Sequence, residues 1–285
     1  MKYDIIIIGS GPAGISASLY TLRANLKTLI ISKKIGTLEK VNNIENYYGL
    51  EKTITGKELQ ERGFNQAKRL GTEFINDEVV KIDYEKDFIV ETINSKYEAK
   101  AVIIATGTTR RTPNIKGIKE FEGKGISYCA TCDAFLYRGK DVAVLGAKEY
   151  ALHEAEELKR VAKSVVMVTN GEKAIENRGQ NIDVDERIIK EFRGDNKVEK
   201  IEFEDNTITN IDGIFVAIGT ATSTDLARKI GAKIDEKGNI IVDSQMKTNI
   251  QNLYACGDCT GGILQISKAV YEGMVAGMTA IKNIK

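Results

Sequence analysis

The chain has 285 residues, enough for one large or two medium domains that each bury a core. Its formal net charge of +1 gives no electrostatic reason to expect nucleic acid or a membrane surface as partner. No apolar run reaches the length of a membrane-spanning helix, no signal peptide is read, and all four cysteines fall in two C-x-x-C pairs, as in a reducing cytoplasm with catalytic thiols.

Tyr3 to Ile8 is an apolar, β-branched run of the kind that forms a buried parallel strand. It enters Gly9-Ser10-Gly11-Pro12-Ala13-Gly14, a G-x-G-x-x-G, followed by a predicted helix from Ala13 to Asn25 and a second strand from Lys27 to Ser32. In that frame Gly9 serves the tight turn, Gly11 the approach of a pyrophosphate, and Gly14 close packing of helix on strand. An acidic residue is expected at the end of the second strand to hold a ribose. Ser32 stands there instead, so that contact is weaker or made elsewhere.

A loop from Ile35 to Gly49 and a helix from Lys57 to Leu70 come next, then strands at Glu78–Tyr84, Asp87–Thr92 and Ala101–Ala105, the last ending in Thr106-Gly107. A second strand–loop–helix–strand begins at Asp141 to Gly146, with its helix from Glu149 to Ala162 and its next strand from Ser164 to Thr169. Further β runs lead to Ile214–Gly219, and Leu253 to Asp258 precedes a final helix from about Ile263. The reading is an α/β protein with two Rossmann-like, three-layer ββα nucleotide-binding domains, the second inserted in the first. Breaks at Thr112-Pro113-Asn114 and Asp243-Ser244-Gln245 place the outer domain at residues 1–112 and 245–285 and the inner one at 113–244.

Between the two halves lies Cys129-Ala130-Thr131-Cys132-Asp133. Thiol–disulfide exchange needs two sulfurs able to close a small ring and a group to move the proton, and Cys129, Cys132 and Asp133 supply all three. Half of a zinc site and a buried structural pair are the other readings of a C-x-x-C. The second pair, Cys256 and Cys259, reads as small residues packed within a nucleotide motif, and no metal site is assigned. His153, the only histidine, reads as structural.

These motifs, in this order over nearly the whole length, resemble the low-molecular-weight flavoprotein thioredoxin reductases. They comprise the first glycine loop, Glu45-Asn46-Tyr47-Tyr48-Gly49, Ala105-Thr106-Gly107, Cys129 to Asp133, and Cys256-Gly257-Asp258. The resemblance implies FAD held by the loop Gly9, Gly11, Pro12, Ala13 and Gly14, by Thr106 and Gly107, and by Gly257 and Asp258, with Asp258 on the ribityl chain. Asn46 and Gln265 would lie near the flavin, although Leu264-Gln265 stands where the family has Arg-Gln. It further implies that Cys132 faces the flavin C4a, that Cys129 exchanges with thioredoxin, and that Asp133 is the acid–base group. The family is dimeric, and its inner domain swings between a flavin-facing state and one that presents the dithiol to thioredoxin.

The departures bear on the electron donor. The family's second loop, like G-G-G-x-[ST]-A, binds NADPH; here it reads Gly146-Ala147-Lys148-Glu149-Tyr150-Ala151, with a long cation and an acid where the anionic ligand would lie. The family's arginine-rich run for the 2′-phosphate corresponds to Asn170-Gly171-Glu172-Lys173-Ala174. A branch found in clostridia, the ferredoxin-dependent flavin thioredoxin reductases, is similar in lacking both. The expected activity is therefore reduction of thioredoxin with electrons from ferredoxin through FAD and the Cys129–Cys132 pair, in a cytoplasmic homodimer. The net-positive stretch from Lys100 to Lys140 is either a docking face for an acidic ferredoxin or a plain solvated surface. The competing readings are an NAD(P)H-dependent thioredoxin reductase and a small-molecule dithiol oxidase of the same fold.

Overall fold

The structure is a computed structural model. It describes residues 2–33, 37–41, 43–107, 113–128, 130–175, 182–219 and 222–284, and at residues 37, 40, 131 and 132 the backbone alone. The chain divides into two compact units, Met1–Thr109 with Thr222–Lys285, and Arg110–Ala221.

The first unit opens with β1 (Lys2–Ile8), α1 (Pro12–Arg23), β2 (Thr28–Ile31), α2 (Gly56–Arg69), β3 (Glu73–Ile75), β4 (Val79–Tyr84), β5 (Phe88–Thr92) and β6 (Lys96–Ile104). Strands β3, β2, β1 and β6 lie side by side and parallel. Ile5, Ile6 and Ile7 are fully buried, because β1 is paired on both edges and both faces are covered; this is why its sequence shows no alternation. The first half of β6 pairs antiparallel with β5, which pairs antiparallel with β4. That β meander extends the same sheet beyond β6.

The second unit repeats the plan. It contains β7 (Ile126–Ser127), α3 (Ala130–Asp133), β8 (Asp141–Leu145), α4 (Glu149–Lys159), β9 (Ser164–Val168), β10 (Asp183–Asp185), β11 (Ile189–Arg193), β12 (Lys200–Phe203), β13 (Ile208–Asn210) and β14 (Gly213–Val216). A parallel sheet in the order β10-β9-β8-β14-β7 accompanies a three-stranded meander, β11-β12-β13. Both units are thus Rossmann-like α/β domains, with the second inserted in the first.

The chain returns to the first unit through α5 (Ser223–Lys229), β15 (Leu253–Ala255) and α6 (Ile266–Ile284). The return begins at Thr222, not near Gln245. Thr222 and Asp225 form a capping box that starts α5, and Lys229 Nζ donates to Val80 O on β4 at 3.0 Å. Ile240 N donates to Cys259 O at 2.8 Å, so the segment before Asp243 belongs with the first unit as well. β15 pairs with the second half of β6 at Val102–Ile104. α6 lies against α1 at a distance only glycine allows: a Cβ at Gly273 would sit 2.1 Å from Ala13 O, and one at Gly277 2.7 Å from Ala17 O.

Candidate active site

The first glycine loop lies at the C-terminal end of the parallel strands. Gly9 has φ +109°, its N–H donates to Ile31 O at 2.9 Å, and a Cβ there would stand 2.4 Å from Ala105 O. A Cβ on Gly14 would stand 2.0 Å from Gly9 O, so helix and turn meet without room for a side chain. Gly11 is different. It is the N-cap of α1 and no atom of the described residues lies within 4 Å of a Cβ placed on it, so among them the loop is open to a ligand on that side. Pro12 begins the helix, where its missing N–H is no loss, and Ala13 is buried. Ser32 takes no acidic role: its hydroxyl accepts from Ser10 Oγ at 3.1 Å. Gln60, buried on α2, donates to Ser10 O and fixes the loop from behind; sequence reading missed it.

Several expected residues gather at the same end of that unit. Asn46 Nδ2 donates to Gln265 Oε1 at 3.2 Å, although the two are 219 positions apart. Thr106 Oγ1 is buried and has no hydrogen-bond partner among the described residues. Gly107 has φ +68° and open space around its Cβ position, and its carbonyl accepts from Ser223 Oγ at 3.2 Å. Gly257, at φ +83°, turns the chain after β15, and its N–H donates to Glu272 Oε2 at 2.8 Å. Lys268 Nζ ties that turn down, donating to Gly257 O at 2.8 Å and Gly261 O at 2.6 Å and pairing with Glu272 at 3.0 Å. Asp258 is the exception within this cross-linked turn. Its carboxylate makes no hydrogen bond to the described residues, and burial holds its pKa above the usual carboxylate value.

Cys256 and Cys259 behave as expected of packed residues. Both are buried, and Cys259 Sγ donates to Cys256 O at 3.3 Å and Ile104 O at 3.6 Å. Burial pushes the Cys259 thiol up to about 12 and the Cys256 thiol well above its ordinary value, so neither is a nucleophile at neutral pH. Among the described residues no group of three or more His, Cys, Asp or Glu gathers to hold a metal.

In the second unit Cys129 lies outside the described residues, as does the side chain of Cys132. The backbone of Ala130–Asp133 forms the short helix α3 after β7. Asp133 at its end is half-buried, and its Oδ2 accepts from Ser127 Oγ at 2.7 Å. Glu154 on α4 accepts from Ala130 N at 3.0 Å. Neither Ser127 nor Glu154 was singled out in the sequence. Of the basic stretch, Arg110 and Arg111 fall outside the described residues; Lys119, Lys124 and Arg138 are exposed and make no ion pair with the described residues, whereas Lys116 pairs with Glu191 at 2.6 Å.

The second loop repeats the first in form. Gly146 N donates to Val168 O at 3.0 Å, as Gly9 does to Ile31, and Lys148 is the N-cap of α4, the place Gly11 holds on α1. The segment after β9 then folds back on this loop. Ile175 N donates to Ala147 O at 2.9 Å, and Ala174 N donates to Glu186 Oε1 at 3.0 Å. Asn170, at φ +53°, accepts from Ile189 N at 2.8 Å, so its side chain is engaged in the fold.

Residues 3–273 match the pyridine nucleotide-disulphide oxidoreductase family. A thioredoxin reductase of Listeria innocua is 34% identical, over 99% of this chain and 94% of its own. The chain belongs to the thioredoxin reductase family. Among solved structures, the atypical thioredoxin reductase TRi from Desulfovibrio vulgaris Hildenborough is similar at TM-score 0.94 and 38% identity, over 99% of this chain and 97% of that one. A ferredoxin-flavin thioredoxin reductase from Clostridium acetobutylicum has TM-score 0.74 and 35% identity, over 99% and 97%.

This thioredoxin reductase family member is an FAD-binding disulfide oxidoreductase. Its own residues fit that group. Among the described residues, the glycine turn is closed by Gly9 and Gly14 and open at Gly11, Thr106 holds a buried hydroxyl without a partner, and the half-buried Asp258 carboxylate accepts no hydrogen bond and can take one from a hydroxyl. Among the described residues no helix is long and apolar enough to cross a membrane.

Proposed function

We propose that the protein reduces the disulfide of a thioredoxin with electrons delivered by a ferredoxin, not by a pyridine nucleotide. The observation that carries the choice of donor is the hydrogen bond from Ile175 N to Ala147 O at 2.9 Å, which folds residues 170–175 onto the very turn that would have to admit a pyrophosphate. Lys148 at the N-cap and Glu149 in the first turn of α4 add a bulky stem and an acid at that place. No arginine lies in residues 170–175 to fork onto a 2′-phosphate. The likeness to a reductase named for ferredoxin and flavin, and to one named atypical, supports the same reading.

On this reading Gly9, Gly11, Pro12, Ala13 and Gly14 hold the FAD pyrophosphate, Asp258 and Gly257 the ribityl side, and Thr106, Gly107, Asn46 and Gln265 the remaining polar edge. FAD, when bound, supplies a carrier that takes electrons singly from an iron–sulfur protein and gives them on in pairs. The thiol chemistry belongs to the chain. The Cys129 thiolate attacks one sulfur of the thioredoxin disulfide; that S–S bond breaks, and the departing thioredoxin sulfur takes a proton. Cys132 then attacks Cys129, closing the Cys129–Cys132 disulfide and releasing dithiol thioredoxin; two electrons and two protons restore the pair. Asp133 moves those protons, and Ser127, 2.7 Å away, fixes its carboxylate. Lys119, Lys124 and Arg138 suit an acidic ferredoxin. A homodimer is the expected assembly, with exposed Tyr271 and Met278 one heptad apart on α6 and exposed Leu264 just before it. A reducing, cytoplasmic compartment suits free thiols.

The test is binding. Titrating NADPH and NADH into the FAD-loaded protein in a calorimeter is expected to give no saturable heat up to millimolar concentration. Micromolar binding of either would restore the nucleotide-dependent reading.

A further inference from the structure

Lys268 is a cation where its helix does not favour one. It lies in the first turn of α6, and the helix dipole opposes positive charge there. Its side chain is only 18% exposed, and that of Glu272, its partner one turn on, 12%. An i,i+4 pair in this order adds little to a helix, so its burial calls for another reason. The contacts supply one. Lys268 Nζ donates to Gly257 O at 2.8 Å, to Gly261 O at 2.6 Å and to Thr260 Oγ1 at 3.0 Å, and it pairs with Glu272 Oε2 at 3.0 Å. Gly257 and Gly261 flank the single 3₁₀ turn Asp258–Thr260, with φ +83° and +76°. Two such glycines leave a turn loose, and the ammonium bridges their carbonyls. Glu272 Oε2 closes the network, accepting from Gly257 N at 2.8 Å and Thr260 Oγ1 at 2.9 Å.

All three ammonium hydrogens are thus taken up within the protein, so Lys268 acts through the turn and not on a ligand. The turn carries Asp258, whose carboxylate makes no hydrogen bond to the described residues. Burial raises the Asp258 pKa, Lys268 lowers it and Glu272 raises it, while the buried thiols of Cys256 and Cys259 on either side are neutral. We propose that Lys268 is a positioning residue for FAD, clamping the turn that carries Asp258 and balancing with its charge the carboxylates of Asp258 and Glu272. A carboxylate accepts a hydroxyl hydrogen more strongly than a neutral acid does. Without Lys268, burial and Glu272 both oppose the Asp258 charge, and FAD would have to displace a proton to bind. The proposal rests on the reading of Asp258 as the ribityl contact.

The FAD-loaded protein is diluted to equilibrium at about pH 6 and about pH 8, and released FAD is read by its fluorescence to give Kd, with melting curves to check the fold. The readout is the ratio of Kd at the lower pH to Kd at the higher. In Lys268→Met that ratio is expected to rise at least about tenfold over the parent's, whereas loss of packing alone would weaken binding alike at both pH values. Lys268→Met combined with Glu272→Gln removes both charges and is expected to return the ratio to within about threefold of the parent's. A ratio that Lys268→Met leaves within about twofold of the parent's, or that Glu272→Gln does not restore, overturns the proposal. Parental Kd in Asp258→Ala would instead remove the reading beneath it. Should the Lys268 variants not fold, the parent decides. Treated with acetic anhydride and read by mass spectrometry, Lys268 is expected to react at least about tenfold more slowly than exposed Lys282, and equal rates would overturn the clamp.

Discussion

Gly11 and Gly14 occupy one loop and should fail in opposite ways. A methyl on Gly14 would stand 2.0 Å from Gly9 O and 3.2 Å from Ile7 Cγ2, so backbone must move to admit it. Overpacking of this kind costs about 1–3 kcal/mol. For a chain of this size that lowers the melting temperature of the FAD-free protein by roughly 2–4 °C per kcal/mol. A methyl on Gly11 meets nothing within 4 Å, and its φ of −70° and ψ of −178° suit any residue. Loss of a glycine N-cap, up to about 1 kcal/mol, is offset by about 0.4–1 kcal/mol of lost unfolded-state freedom. The FAD-free Gly11→Ala protein should therefore melt within about 2 °C of the parent. Its FAD affinity should fall. Displacing a charge-assisted hydrogen bond to a phosphate costs about 1.5–3 kcal/mol, a factor of roughly 10–150 in Kd. Melting curves of the FAD-free proteins and fluorescence titration with FAD separate the two effects. Parental FAD affinity in Gly11→Ala would refute the placement of the pyrophosphate, and parental melting in Gly14→Ala would refute the packing argument.

Gly273→Ala, which puts a methyl 2.1 Å from Ala13 O, should destabilise by about 1–3 kcal/mol, whereas Gly63→Ala on α2, at 3.4 Å from Ile15 Cγ2 of α1, should be neutral or stabilising by up to about 1 kcal/mol; urea unfolding measures both. Cys132→Ser should trap thioredoxin as a mixed disulfide with Cys129, and Cys129→Ser should not, as non-reducing gels would show; the reverse pattern would exchange the two roles. Because the Cys259 pKa is raised to about 12, its neutral form favours the folded state. That contribution is complete below the unfolded thiol pKa of about 8.5 and is lost by about 1.4 kcal/mol per pH unit as pH climbs from there toward 12. Stability of Cys259→Ala should accordingly fall less steeply than the parent's between about pH 9 and 11; equal slopes would mean the thiol is not held neutral.

Much of the fold was legible because the strongest signals are local. The Ile5–Ile8 run and the glycine turn fix a strand, a turn and a helix start within one stretch, and Asn46 and Gln265, chosen from separate motifs, meet at 3.2 Å. What escaped was short or inverted in polarity. α5 has seven residues and little apolar periodicity, so its capping box at Thr222 and Asp225 went unread and the return to the first unit was set about twenty residues late. Glu154 sits in an acid-rich helix that reads as solvated, yet the helical period aligns it with Ala151, Ala155 and Leu158 on the buried side. That alignment was the available signal. Gln60 acts through a contact to Ser10, fifty positions away, and Ser127 through its hydroxyl on Asp133; no pattern along the chain reveals either.

The choice of electron donor is tested most directly by anaerobic stopped-flow mixing of the oxidised, FAD-loaded protein with NADPH, NADH or reduced ferredoxin, following the flavin's main visible absorbance. Ferredoxin is expected to bleach it rapidly, with a rate that falls as salt screens docking over about 10 Å at 0.1 M, while neither nucleotide at millimolar concentration does so on a catalytic timescale. Rapid bleaching by NADPH, together with a ferredoxin rate no faster, would contradict the account.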